Sequence, residues 1–227
     1  MKKTALLLTA FLLSVSAFAQ VKETRKVADF TGVSFGVAGE LFITQGSGYS
    51  VTIEASKGLL EDIETFVRNG DLVISKKEWK SHMNEKVTVW VTLPEVERLR
   101  VSGSGVMSAE KAVKSEELEI SVSGSGRVEM GNLSAGELDC NISGSGGIYL
   151  EGPGARECDL SISGSGKYNC EDFKVEEMVV SISGSGNCRC FVVEELEARV
   201  SGSGDIYYRG GASVDARISG SGKVRQY

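Results

Sequence analysis

Histidine is almost absent: His82 stands alone among 227 residues. That excludes every His–His metal motif and any catalytic centre that needs two imidazoles. Proline is scarce at 2 residues and aromatics make up 7%, beside 28 glycines, which excludes collagen and a large aromatic core. Positive charge is in deficit, with Lys+Arg 25 against Asp+Glu 31 and a net charge of −6. Loss of Lys2 and Lys3 with a removable leader would take the balance from −6 to −8. Such acidity argues against a general affinity for nucleic acid or anionic lipid. No long apolar run occurs after residue 19, so an integral membrane helix is not expected. What remains, 41% hydrophobic and 25% charged, is enough to bury the core of one ordinary domain or two small ones.

The first 19 residues have the layout of a secretory signal peptide. Lys2 and Lys3 form a basic start, Thr4 to Val15 is apolar, and Ala17-Phe18-Ala19 is a small-x-small cleavage site. Residues 1–19 are therefore expected to be removed, leaving an exported, soluble chain that begins at Gln20; a retained N-terminal anchor is the alternative. The first cysteine is Cys140, so lipid modification near the cleavage site is not expected.

One repeat dominates the rest. Ser-Gly-Ser-Gly begins at Ser102, Ser123, Ser143, Ser163, Ser183, Ser201 and Ser219, at intervals of 21, 20, 20, 20, 18 and 18 residues. A flexible linker keeps no period, whereas a solenoid needs one. One, three and five residues before each tetrapeptide stand mainly apolar side chains, such as Ile142, Cys140 and Leu138. The alternation resumes after it, with Val128, Ile148, Tyr168, Cys188, Ile206 and Val224 in one column. Period two with one apolar face marks a strand with one buried side. Each coil thus reads as strand, corner, strand and a variable return of about eight residues. The fold class is all-β: a parallel β-helix or β-solenoid of about 7–8 coils, right-handed by the crossover bias of parallel sheets.

The corner glycines are Gly103, Gly105, Gly124, Gly126, Gly144, Gly146, Gly164, Gly166, Gly184, Gly186, Gly202, Gly204, Gly220 and Gly222. Glycine turns sharply and lets coils approach closely, and stacked serine hydroxyls are expected to hydrogen-bond one another and the turn backbone. No copy opens a helix or continues into Gly-Lys-Ser/Thr, so a phosphate-binding loop is excluded; no Gly-x-Ser-x-Gly elbow occurs either.

Residues 20–99 are expected to form an N-terminal β region, and residues 100–227 the regular solenoid. Val33 to Ile43 copies the strand-corner-strand layout with a degenerate corner, Gly36 to Gly39, and reads as an eighth coil. From Gln45 to Leu99 runs an insertion expected to cap the first end. It holds a strand from Tyr49 to Ala55, a short helix or turn from Leu59 to Val67, and an Asn69-Gly70 turn. Strands Asp71–Ser75 and Lys86–Leu93 follow, with a polar loop between them containing Trp79 and His82.

These motifs, with Phe30-x-x-Val33, Leu41-Phe42-Ile43-Thr44-Gln45-Gly46 and Leu93-Pro94, resemble the auto-transporter adhesin head domain family known as the GIN domain. The likeness runs from about Phe30 to Tyr227. It implies a solenoid-like all-β fold, export from a bacterial cell and an adhesin-like role, and brings no catalytic residues. An autotransporter carries a C-terminal membrane barrel, and no translocator or surface-sorting domain is expected from the residues before Tyr227.

Candidate chemistry is thin. Cys140, Cys158, Cys170, Cys188 and Cys190 all fall in inward columns and are expected to be buried free thiols, with a Cys170–Cys190 bridge as the alternative. Outward, four residues before each corner, run Glu119, Asp139, Asp159, Glu197 and Asp215, interrupted by Val179 and preceded by Arg98. Arg100, Arg199 and Arg217 stand two residues further along. This acidic row is a candidate binding surface; neither a metal nor any cofactor is expected to occupy it, because no loop wraps around it. A carbohydrate-active enzyme needs two carboxylates in a cleft, and the short returns provide no cleft walls. Outward Tyr149, Arg189 and Tyr207 are compatible with carbohydrate contact. The expected function is an exported, non-catalytic binding or structural module presenting a flat face to a glycan or protein. Its alternatives are a periplasmic envelope protein and an enzyme on the acidic row. The open last coil leads to an expectation of a cap or a homodimer through the solenoid ends.

Overall fold

The computed structural model describes residues 20–77 and 86–227. The proposed signal peptide, Trp79 and His82 lie outside them. In chain order the elements are β1 (Val21–Arg25), β2 (Gly32–Phe35), β3 (Glu40–Gln45), β4 (Ser50–Ala55), α1 (Lys57–Asp62), β5 (Ile63–Arg68), β6 (Asp71–Lys76) and β7 (Thr88–Leu93). Then come β8 (Arg98–Gly103), β9 (Val106–Ala109), β10 (Val113–Gly124), β11 (Arg127–Met130), β12 (Leu133–Gly144) and β13 (Gly147–Gly164). The chain closes with β14 (Lys167–Gly184), β15 (Asn187–Gly202), β16 (Asp205–Arg209), β17 (Ser213–Gly220) and β18 (Lys223–Gln226).

The fold is a parallel β-solenoid. All seven corners stack in register, Ser102 on Ser123 on Ser143 and so on to Ser219. The apolar columns lie inside: Val101, Val122, Ile142, Ile162, Ile182 and Val200 are all buried. The return is not a loose connection. Val113, Leu133, Phe173, Val175 and Val192 from the returns are buried too. Within β12 the buried positions change from odd (Leu133) to even (Leu138, Cys140), so the chain bends at Gly136. Each coil therefore has a third side, too short for its alternation to stand out in the sequence.

Two different requirements fill the two glycine positions. The first glycine of each corner turns with positive φ, as at Gly144 (φ 117°). The second is needed for stacking: a Cβ on Gly146 would sit 2.4 Å from the Gly126 carbonyl oxygen and 2.6 Å from Val122 Cγ1. The corner backbone is itself a ladder, with Ser145 N donating to Gly124 O at 2.9 Å and Ser165 N to Gly144 O at 2.8 Å. The expected serine-hydroxyl ladder does not form. The corner side chains, Ser143 and Ser145 among them, are exposed and make no hydrogen bond among the described residues. Amides hold the corner, and serine supplies a small polar exterior.

The N-terminal end is built out of chain order. β2 and β3 lie parallel on β8 and β9, and β6 and β7 then lie parallel on β2 and β3. Antiparallel strands cover that outermost layer, β5 on β6, β4 on β7, and β1 on β4. The segment from Leu59 to Val67 divides. Ser56 Oγ accepts from Leu59 N at 3.3 Å and caps α1, which ends at Asp62. Ile63 onward is the strand β5, because Asn69 (φ 53°) and Gly70 (φ 80°) form a tight turn that returns the chain as β6.

Candidate functional site: an acidic groove along the solenoid

The bend before each outer strand leaves a concave strip that runs along the stack. It forms an open groove of about 1290 Å³, lined from Glu95 to Glu197 across successive coils. The short returns therefore do make a cleft, contrary to the expectation from their length, because the cleft comes from the bend itself. Four carboxylates of the row read from the sequence, Glu119, Asp139, Asp159 and Glu197, stand in its wall, and the fifth, Asp215, lies beyond it. Glu119, Asp139 and Asp159 are register neighbours, Val179 follows, then Glu197 and Asp215.

A second carboxylate ladder went unread. Glu117, Glu137, Glu157, Glu177 and Glu195 occupy one column in five successive coils. The signal was a glutamate six residues before each of five corners, one position beyond the alternation that was counted. Together the two ladders make the groove strongly negative.

Arginines neutralise the row at its two ends, and one arginine neutralises the second ladder near its middle. Arg100 Nη2 lies 3.0 and 2.9 Å from the two carboxylate oxygens of Glu119. Arg100 also pairs with Asp71, whose other oxygen takes Arg98 Nε at 2.8 Å. Asp71 is only 8% exposed, so this network ties the N-terminal layer to the solenoid. Further along, Arg199 pairs with Glu197, and Arg217 with Asp215 at 3.1 Å. Arg156 bridges Glu137, at 2.8 Å, and Glu157.

The middle of the row is left with net charge. Asp159 makes no ion pair or side-chain hydrogen bond among the described residues. Asp139 accepts from Asn141 Nδ2 at 2.8 Å. Its carboxyl is nevertheless pushed above the usual range, first by desolvation and then by the charges of Glu119 and Asp159. Among the described residues, no group of three or more His, Cys, Asp or Glu side chains is placed to hold a metal ion.

The outward column on the neighbouring side carries Glu129, Tyr149, Asn169, Arg189, Tyr207 and Arg225 in register. Arg189 lies 5.7 Å over the Tyr207 ring and pairs with Glu171 at 3.0 Å, so these groups serve one another.

The model of the family described as "Putative auto-transporter adhesin, head GIN domain" matches residues 29–212. The chain belongs to that family. This GIN domain shares its fold with a putative adhesin from Bacteroides fragilis at 23% identity and a TM-score of 0.84, covering 92% of this chain and 97% of that one. A putative lipid binding protein from Parabacteroides distasonis has 21% identity and a TM-score of 0.75, with 92% and 96% coverage. A putative adhesin from the same organism has 24% identity and a TM-score of 0.72, with 93% and 98% coverage. No curated protein matches the chain. At these identities the solved structures share the architecture and carry no ligand across. No helix among the described residues is long and apolar enough to cross a membrane.

Proposed function

We propose that this GIN domain is an exported, non-catalytic, adhesin-like binding module that receives a protein or glycan along its acidic groove. The observation that carries this reading is the five-coil ladder of Glu117 to Glu195 beside the four carboxylates Glu119, Asp139, Asp159 and Glu197. Stacked coils repeat their charges about every 4.8 Å. Such a ladder favours an extended partner with positive charge repeated along its length, through many weak contacts. The leader supports export, and the family name supports an adhesin-like role.

The test is titration of the purified protein with a lysine-rich peptide, compared with Glu137→Gln/Glu157→Gln/Glu177→Gln. Binding that weakens steeply with salt and drops at least tenfold in the triple variant supports the groove. Equal affinity of the two proteins would remove it. Protease shaving of intact cells separates surface display from the periplasmic alternative.

The enzyme reading has one supporting observation, the raised Asp139 carboxyl beside Asp159. Against it, similar carboxylate pairs recur at Glu117/Glu119, Glu137/Asp139, Glu157/Asp159 and Glu195/Glu197, and no second group is set apart as the partner of Asp139. Asp139→Asn/Asp159→Asn is expected to fold as the parent does, and the parent to turn over no polysaccharide. Turnover that the double variant abolishes would reinstate an enzyme.

A further inference from the structure

The two ends of the stack differ. At the first end β5, β4 and β1 cover the outermost parallel layer. At the other end β17 pairs only with β15, and no other described residue pairs with its outer edge. The columns that are sealed in the preceding coil open there: Leu196, Ala198 and Val200 are at most 2% exposed, whereas Ile218 is 45% exposed and Ala216 is exposed. An open strand edge with an apolar inner row is a pairing surface.

β17 carries its own complement. Its inward side reads Val214, Ala216, Ile218, and its outward side reads Asp215, Arg217. Turned antiparallel about Ala216, the strand places Val214 opposite Ile218 of the other copy and Asp215 opposite Arg217. A two-fold centred on Val214 or Ile218 loses this charge match, and one centred on Asp215 or Arg217 sets like charges face to face. A further parallel layer repeating the solenoid would extend like-charge columns, because Glu197 already stacks on Asp215 and Arg199 on Arg217.

We propose that two copies of this chain join through β17 as a two-fold, antiparallel strand pair centred on Ala216, giving one continuous sheet across the dimer. The occupant is a second copy because the edge is complementary to itself in both its apolar and its charged rows. The dimer does not depend on the acidic groove and goes beyond the binding role proposed above.

Sedimentation of the purified protein tests this directly. The parent is expected to be dimeric at tens of micromolar. Asp215→Arg is expected to be monomeric, and Asp215→Arg/Arg217→Asp to recover the dimer, with circular dichroism confirming that each variant folds. Residues directly opposite across an antiparallel pair have Cβ atoms about 4.5–5.5 Å apart, close to disulfide reach. Ala216→Cys should therefore oxidise to a covalent dimer. Ser213→Cys should not, since two copies of that position lie six residues apart, about 20 Å. The five native thiols are buried and do not compete. A parent that is monomeric throughout, a double swap that fails to rescue, or equal cross-linking at 213 and 216 would overturn the proposal. A mass growing beyond two copies would instead indicate head-to-tail joining onto β5 and would also overturn it.

Discussion

At the scale of the residue, the corner shows how one small amino acid meets two demands. Gly144 provides the positive φ, and Gly146 provides room for the coil beneath. Gly146→Ala is expected to destabilise the protein by more than about 1 kcal/mol, since the added methyl meets backbone and a buried valine rather than a flexible side-chain end. Gly48→Ala, with nothing within 4 Å of its Cβ, is expected to be near neutral. Urea unfolding of both variants, with unchanged m, checks the contrast. The corner and its apolar columns were legible because spacing alone reveals them. The direction of the serine hydroxyls was not, since a residue type does not say whether its side chain or its amide makes the ladder. The Glu117 to Glu195 column is legible by the same spacing, at six residues before each of five corners.

At the scale of the element, β12 to β15 enclose the five cysteines. All are buried and unbridged. Burial pushes the Cys140 and Cys170 thiols up, and a hydrogen bond with Cys190, followed by burial, does the same for Cys188. Tyr168, also buried, lies with its hydroxyl 3.4 Å from Cys158 Sγ. A thiol without thiolate character is a poor nucleophile. Native protein at pH 8 is thus expected to resist iodoacetamide while denatured protein takes up five labels, as counted by mass spectrometry. The elements left unread were those whose pattern is short or interrupted. The third side offers one or two inward residues per coil, and register shifts between β13 and β14 and between β14 and β15 move them out of phase. β5 follows α1 without a break, so its alternation merges with the helical one.

At the scale of the whole molecule, the last coil is fastened back across the stack. Tyr227 donates its hydroxyl to Glu171 Oε1 at 2.8 Å, and Arg189 reaches the same oxygen at 3.0 Å. Desolvation, and then this bond, push Tyr227 up to about 12 from 10.0. The bond is also the main cause that lowers Glu171 below its ordinary 4.5. The tyrosine contribution is complete below pH 10.0 and disappears as pH rises towards about 12. The glutamate contribution is present above pH 4.5 and disappears as pH falls through its lowered value. Tyr227→Phe is expected to cost less than about 1 kcal/mol at neutral pH, because the ring is largely exposed. Melting curves should show parent and variant converging above pH 12. Unchanged separation there would disconnect Tyr227 from the alkaline loss. The architecture as a whole was legible from one tetrapeptide, whereas the layering of its first end depends on partners far apart in the chain.

That layering constrains how the polypeptide acquires its structure as it emerges. β2 is flanked by β6 and β8, both made later, with Val33 meeting Leu72 on one side and Leu99 on the other. These separations of 39 and 66 residues contrast with the 20 between Ile142 and Ile162. Closing the longer loops costs more entropy before any contact repays it. β2 must therefore wait for β6 to gain a first partner, and for about a hundred residues to be out before β8 supplies the second. The slow event in folding is then completion of the start of the chain, after which each later coil finds its template already in place.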